Sequence, residues 1–227
     1  MKYMWSKNRI AKYLLPIILK DRKPNQWYVE PLVWGANMID KVEGNRIGAD
    51  INPYNILLFT WIQKWKIPPD NVTEEEYKQA QKTKNMDFLT AFIWYWCSYS
   101  WKWFGWYARW NNTKWEPRNY CLESKKNILK QKQWIEWIKF IHSSYQDLEI
   151  PKESIIYCDI PYKGTTKYKT GWFDYEHFYN WCREKKKEGH TIFISEYNMP
   201  DDFKCVWQQE LTNNLNNKKA TEKLFTL

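Results

Sequence analysis

The side chains best placed to do chemistry in this sequence close a short apolar run. Ile155-Ile156-Tyr157-Cys158 leads directly into Asp159-Ile160-Pro161-Tyr162. A β-branched run of this length reads as a fully buried strand, and in an open α/β sheet ligands sit at the carboxyl ends of the strands. Asp159 and Tyr162 are therefore expected to face a cleft. A second acid stands in the same relation to Arg46-Ile47-Gly48-Ala49: Asp50 follows that run and precedes Asn52-Pro53. An acid at such a tip commonly accepts hydrogen bonds from ribose hydroxyls. Taken singly, each has a plainer reading, Asp159 as part of an Asx-Pro turn that stops a strand and Asp50 as a cap for the helix that Pro53 opens.

Stepping along the chain gives the elements that must carry these tips. Ser6 precedes Ile10, Tyr13, Leu14, Ile17 and Ile18, whose spacing places them on one face of a helix with Ser6 as N-cap and Pro16 as a kink. Trp27 to Glu30 reads as a strand, and Pro31 to Ala36 as the turn into a helix. In nucleotide-binding α/β folds this turn is Gly-rich because the backbone approaches the ligand closely. Asp174 opens a helix that turns Phe178, Trp181 and Cys182 inward and ends at Gly189. His190 to Tyr197 is a further strand, and Cys205 to Leu211 with Glu222 to Leu227 form a closing antiparallel pair.

Between the two acids lies a stretch of different composition, from about Lys64 to Tyr145. It opens with Pro68-Pro69-Asp70-Asn71 and the capping-box start Thr73-Glu74-Glu75-Glu76, then turns aromatic and basic. Trp101 to Arg109 interleaves aromatic rings with Lys102 and Arg109, the combination that stacks on bases. The same residues would serve equally well as an aromatic core with a solvated charged face.

The chain's bulk properties bound the answer. At 227 residues it is one domain or one domain with an insertion. Its 35 Lys and Arg against 26 Asp and Glu leave +9, which favours a polyanionic partner or an acidic surface. No apolar run approaches the roughly 18 residues of a membrane span, so no membrane association and a cytoplasmic location are expected. Cys97, Cys121, Cys158, Cys182 and Cys205 contain no Cys-x-x-Cys pair, which points to free buried thiols and to neither a disulfide framework nor a metal site. The abnormal feature is 17 Trp against 7 Gly.

Asp159-Ile160-Pro161-Tyr162 closely resembles the Asp-Pro-Pro-Tyr signature of the Dam-type DNA adenine-N6 methyltransferases of phages and bacteria. Four further segments resemble that family in its own order. Tyr3-Met4-Trp5-Ser6-Lys7 is similar to its N-terminal aromatic and Lys motif, Glu30-Pro31-Leu32-Val33-Trp34-Gly35 to Glu-Pro-Phe-x-Gly-Gly, Asp50-Ile51-Asn52 to Asp-Ile-Asn, and the mid-chain stretch takes the place of the target-recognition region. The resemblance implies an α/β, Rossmann-like S-adenosylmethionine-dependent methyltransferase sheet with a closing hairpin. It divides the chain into a cofactor-binding part over 1–63, an inserted target-recognition region over 64–149 and a catalytic part over 150–227. It implies that Asp159, Pro161 and Tyr162 are catalytic, that Tyr3, Lys7, Glu30, Gly35, Asp50 and Asp159 bind S-adenosyl-L-methionine, and that Lys102, Tyr107 and Arg109 bind double-stranded DNA. Lys7 is expected near the methionine carboxylate or a backbone carbonyl, Arg109 at a guanine edge, and the polar loop from Lys163 to Tyr168 over a flipped nucleotide. A monomer without metal is implied.

Trp34 departs from the family, which carries Gly or another small residue there, and the stretch from Trp94 to Trp115 replaces a Gly-rich one. An indole at position 34 must enter the cofactor pocket or turn outward over Pro31 and Leu32. Three other readings stay open: a catalytically dead DNA-binding relative, an amino-group methyltransferase acting on RNA or protein, and a chain in which some Trp codons are decoded naturally as another residue.

Overall fold

The computed structural model describes residues 6–98, 105–109, 119–163, 173–212 and 219–227. They form a sheet of seven strands: β1 (Tyr28–Glu30), β2 (Arg46–Asp50), β3 (Lys139–His142), β4 (Ile155–Asp159), β5 (Thr191–Glu196), β6 (Lys204–Thr212) and β7 (Lys219–Thr226). Their order across the sheet is β3-β2-β1-β4-β5-β7-β6; the first five are parallel, and β7 runs antiparallel to both β5 and β6. This is a Rossmann-like α/β sheet with a closing antiparallel hairpin. The chain runs outward from β1 to β2 and β3, then returns to place β4 on the other side of β1. The order therefore reverses between β1 and β4, where α/β sheets open a ligand crevice.

Period-two alternation decides what each strand tip faces. Tyr28, Ile155, Tyr157 and Leu224 belong to a core with the helices α1 (Ala11–Ile18), α2 (Pro53–Gln63), α3 (Glu74–Thr83), α4 (Phe88–Trp96) and α5 (Tyr120–Ile135). Val29, Ile156, Cys158 and Phe225 point the other way, into a core with Phe178, Trp181 and Cys182 of α6 (Tyr175–Lys187). Counting on by two from the first set puts Glu30, Asp159 and Glu222 on the face of α1 to α5.

Local signals account for most of the elements. Thr73 and Glu76 form the reciprocal capping box of α3, and Asp174 accepts the His177 amide at the start of α6. Gly189, φ 93°, ends α6 in a backbone region that other residues enter at a cost. Where a helix was expected after the β1 turn there is a single 3-10 turn, Ile39–Lys41, because β2 begins too soon for a longer element. Tyr13, expected inward, is 42% exposed and stacks on Trp207 at 6.3 Å. Cys205 is exposed, unlike the four buried thiols. β3 falls within the stretch expected as an insertion over 64–149; it pairs with β2 and belongs to the sheet, its short Lys139-Phe140-Ile141 run hidden within basic and aromatic composition. The Asn-rich link after Thr212 lies outside the described residues. Among the described residues no helix is long and apolar enough to cross a membrane.

Candidate active site

The crevice between β1 and β4 is walled by the turn after β1, the tip of β4 and the residues that lead into α1. Ser6 caps the Lys7–Arg9 turn through the Asn8 amide at 3.2 Å, and Lys7 is thereby directed inward, 5% exposed. Its ammonium lies 3.2 Å from Asp159 Oδ1 and 3.3 Å from Glu222 Oε2. Tyr162 donates its hydroxyl to the same Glu222 Oε2 at 2.6 Å, and Lys7 Nζ sits 4.4 Å from the centre of the Tyr162 ring. Lys7, Asp159, Tyr162 and Glu222 thus form one connected net. Lys7 was expected on the methionine carboxylate or a backbone carbonyl; the structure pairs it with two carboxylates of the protein.

Burial raises the Asp159 pKa to about 6, with Lys7 opposing and Glu222 reinforcing the rise. Among the described residues nothing donates to Asp159 Oδ2, so one oxygen of the strand-tip acid remains an acceptor. Glu30, at the neighbouring tip, is buried and takes the Tyr28 hydroxyl at 2.9 Å. Its pKa is held well above the carboxylate range by burial. Glu196, at the tip of β5, accepts the amides of Tyr197 and Lys163 at 2.6 and 3.0 Å, and burial pushes it up to about 7. Pro161 accepts the Tyr175 hydroxyl at 2.9 Å, which ties the end of the motif to the start of α6.

Asp50 stands at the tip of β2 as expected, 4% exposed. Its oxygens accept the Asn52 amide at 2.8 Å, the Asn55 side chain at 2.7 Å and the Trp34 amide at 3.2 Å. Burial, offset in part by these bonds, raises it to about 6. The turn above it is held closely: a Cβ on Gly48 would meet Val33 Cγ2 at 2.9 Å and Phe140 Cδ1 at 3.2 Å, so only glycine allows the turn to lie on β2 here.

Trp34 takes the inward of its two possible courses. Its indole crosses the crevice and donates from Nε1 to the Asp159 carbonyl at 2.6 Å. The cavity left between Lys7, Glu30, Trp34, Gly35, Tyr157 and Asp159 is about 20 Å³, room for one water molecule. With the indole there, the crevice does not admit the methionine end of S-adenosylmethionine. The backbone at Trp34 has φ 45°, and Trp65 has φ 64°, a region that costs a bulky L-residue but not glycine.

Tyr3 and Lys102 lie outside the described residues, as does the loop beyond Lys163. Tyr107 and Arg109 are both held to the start of α3. Tyr107 donates to the Val72 carbonyl at 2.6 Å, and Arg109 makes a two-pronged pair with Glu74, whose Oε2 lies 2.5 Å from Nε. A guanine contact by Arg109 would have to replace that pair.

Three site residues escaped the sequence reading. Glu222 could have been found by counting back two from Leu224 on a buried strand face. Gln131 falls in the buried stripe Cys121, Ser124, Ile128, Gln131, Ile135 of α5, and shares its amide among the carbonyls of Gly35 and Ala36 at 3.2 and 3.1 Å and Asp40 Oδ2 at 2.8 Å. It anchors the crevice turn to the middle region. Asn55 is one turn along a helix that opens at the Asp50 tip, where an amide facing the acid would be sought.

No family model and no curated protein matches the sequence. Among solved structures, two of the rRNA methyltransferase aviRa from Streptomyces viridochromogenes are similar in overall shape. Each is 9% identical, with 97% of this chain and 84% of that chain covered, at TM-scores of 0.46 and 0.47.

Proposed function

We propose that this protein is a DNA adenine-N6 methyltransferase of the Dam type that uses S-adenosylmethionine. The observation that carries the reading is the position of Asp159-Ile160-Pro161-Tyr162: it closes β4 at the point where the strand order reverses, directly across the crevice from Glu30 and Gly35. A random Asx-Pro turn has no reason to fall at that one tip.

The exocyclic amine of adenine is a poor nucleophile because its lone pair is delocalised into the ring. Two acceptors held at the strand tip localise it. Asp159 Oδ2 takes one amino hydrogen and the carbonyl of residue 160 takes the other, which drives the nitrogen toward tetrahedral geometry. Ile160 supplies that carbonyl as Pro would, but without the fixed φ. Tyr162 offers a ring to a base that has left the duplex, an extrusion that costs a few kcal/mol in unstacking. Lys7 keeps Asp159 oriented through Oδ1, so that Oδ2 is the oxygen presented.

The net charge of +9 suits a phosphate backbone, and the basic, aromatic middle region leads into the helix whose Gln131 grips the crevice turn. The test is incubation of the protein and of its Trp34→Gly variant with labelled S-adenosylmethionine and mixed-sequence DNA, followed by identification of the labelled base. Label on adenine N6 is expected. Label on RNA or protein and none on DNA would replace the substrate class, and no transfer to any of them would refute methyl transfer.

A further inference from the structure

We infer that the natural protein carries glycine at positions 34 and 65: both Trp residues stand at backbone positions built for glycine, and the indole that fills the crevice is foreign to it. The inference rests on backbone geometry and composition, and it stands apart from the reading of the site as a methyltransferase centre.

Position 65 makes the case away from the crevice. α2 ends at Gln63 with Lys64 as its C-cap, and the next residue, Trp65, has φ 64°. The Trp65 amide donates to the Ile62 carbonyl and the Lys66 amide to the Trp61 carbonyl, each at 3.1 Å. That crossed pair is the Schellman ending, in which the left-handed residue is usually glycine. The end of α6 has the same two bonds. After its C-cap Glu188, the amide of residue 189 donates to the Lys186 carbonyl and the His190 amide to the Lys185 carbonyl, again each at 3.1 Å. There the left-handed residue is Gly189, φ 93°. Nothing about the Trp65 side chain offsets the cost of the exchange. The residue is 72% exposed, and its ring meets the Lys132 ammonium at the surface, where such contacts are weak.

Position 34 repeats the conflict in a different motif. The Ala36 amide donates to the Val33 carbonyl at 2.7 Å and closes a four-residue turn. Trp34 is its second residue with φ 45°, a place that glycine, Asn or Asp dominates in turns of this kind. Glycine keeps the bond that ties the turn to β2, because it is the backbone amide that donates to Asp50 Oδ2 at 3.2 Å. What glycine removes is the indole and its bond to the Asp159 carbonyl, so the cavity of about 20 Å³ beside Glu30, Gly35, Tyr157 and Asp159 opens. The misfit between the crevice and the methionine end of S-adenosylmethionine is thus a property of one side chain.

Composition agrees with both positions. Glycine makes up roughly 7% of an ordinary chain, about 16 residues at this length. Here it numbers 7 against 17 Trp. Among the described residues six positions other than glycine have positive φ, and two of these are Trp, as many as there are glycines with positive φ. The codon UGG specifies Trp, whereas UGA is read as Trp in some organisms and as glycine in others. One reassigned codon therefore yields an excess of Trp and a deficit of glycine together.

Trp181 serves as the control. It lies inside α6, 5% exposed, and stacks on Phe178 at 5.8 Å; glycine there would weaken the helix and leave a void in the core. Tandem mass spectrometry of the protein isolated from the organism that makes it reads all three positions. Glycine at 34 and 65 with Trp at 181 is expected, with UGA codons at 34 and 65 and UGG at 181 in the gene. Trp, or any residue other than glycine, at either 34 or 65 overturns the inference, as does a UGG codon at either. Glycine at 181 as well would also overturn it, because the replacement would then ignore the backbone. None of these outcomes depends on whether the protein transfers methyl groups.

Discussion

On the β4 side of the crevice, Lys7, Asp159, Tyr162 and Glu222 come from distant stretches of the chain and close into one net. On the β1 side, one side chain, Trp34, stands on a left-handed backbone and fills the space that the turn encloses. The contrast shows where each half gets its precision. The β4 side relies on charges whose burial is tolerable only because they are paired, so its geometry is determined by mutual need. The β1 side relies on an absence, room beside a bare backbone, and a single substitution can remove it without disturbing a hydrogen bond. A strand-tip acid with one oxygen open as an acceptor therefore coexists with a crevice that an indole fills.

The comparison can be broken most forcefully from the β4 side. Asp159→Ala is expected to abolish methyl transfer while the protein still folds, because Glu222 continues to pair Lys7. Near-normal turnover, measured alongside an unchanged circular dichroism spectrum, would show that the tip carboxylate is not the acceptor. On the β1 side, Asp50→Ala should weaken binding of S-adenosylmethionine by about 1.5 to 3 kcal/mol, the range for hydrogen bonds to a charged group. Unchanged affinity in a calorimetric titration would confine Asp50 to holding Trp34, Asn52 and Asn55. The smallest effect belongs to neither side. Arg109→Ala, which frees Glu74, is expected to alter the ratio of methylation rates among DNA sequences about tenfold if the guanidinium reads a base edge. An equal loss on all sequences, in a competition assay, would reassign it to phosphate.

What was legible in the sequence was whatever acts locally. The strand tips at Asp50 and Asp159, the capping box at Thr73 and the α6 cap at Asp174 each depend on a few neighbouring residues, and all appear where the pattern placed them. Glu222 could be placed on the buried face by counting back two from Leu224, but its reach to Lys7 and Tyr162 arises from a hairpin that folds it over β5 toward β4, a relation the local pattern does not carry. Gln131 looked like one more polar residue on a basic helix, and only the approach of α5 to the crevice turn gives it three acceptors. β3 was lost in the composition of its surroundings. Trp34 was visible as a departure, yet its inward course depended on the Asp159 carbonyl offering its indole a partner.

Trp34→Gly is where the two halves of the crevice meet most directly, and a calorimetric titration of both proteins with S-adenosylmethionine reads the outcome. The glycine removes an indole that cannot share the cleft with the methionine end and relieves a backbone cost of about 1 to 2 kcal/mol. Affinity is expected to rise tenfold or more, about 1.4 kcal/mol. Tight binding by the unmodified chain with no gain on substitution, or no binding by either protein, would contradict a cofactor site between the β1 turn and the β4 tip that Trp34 closes.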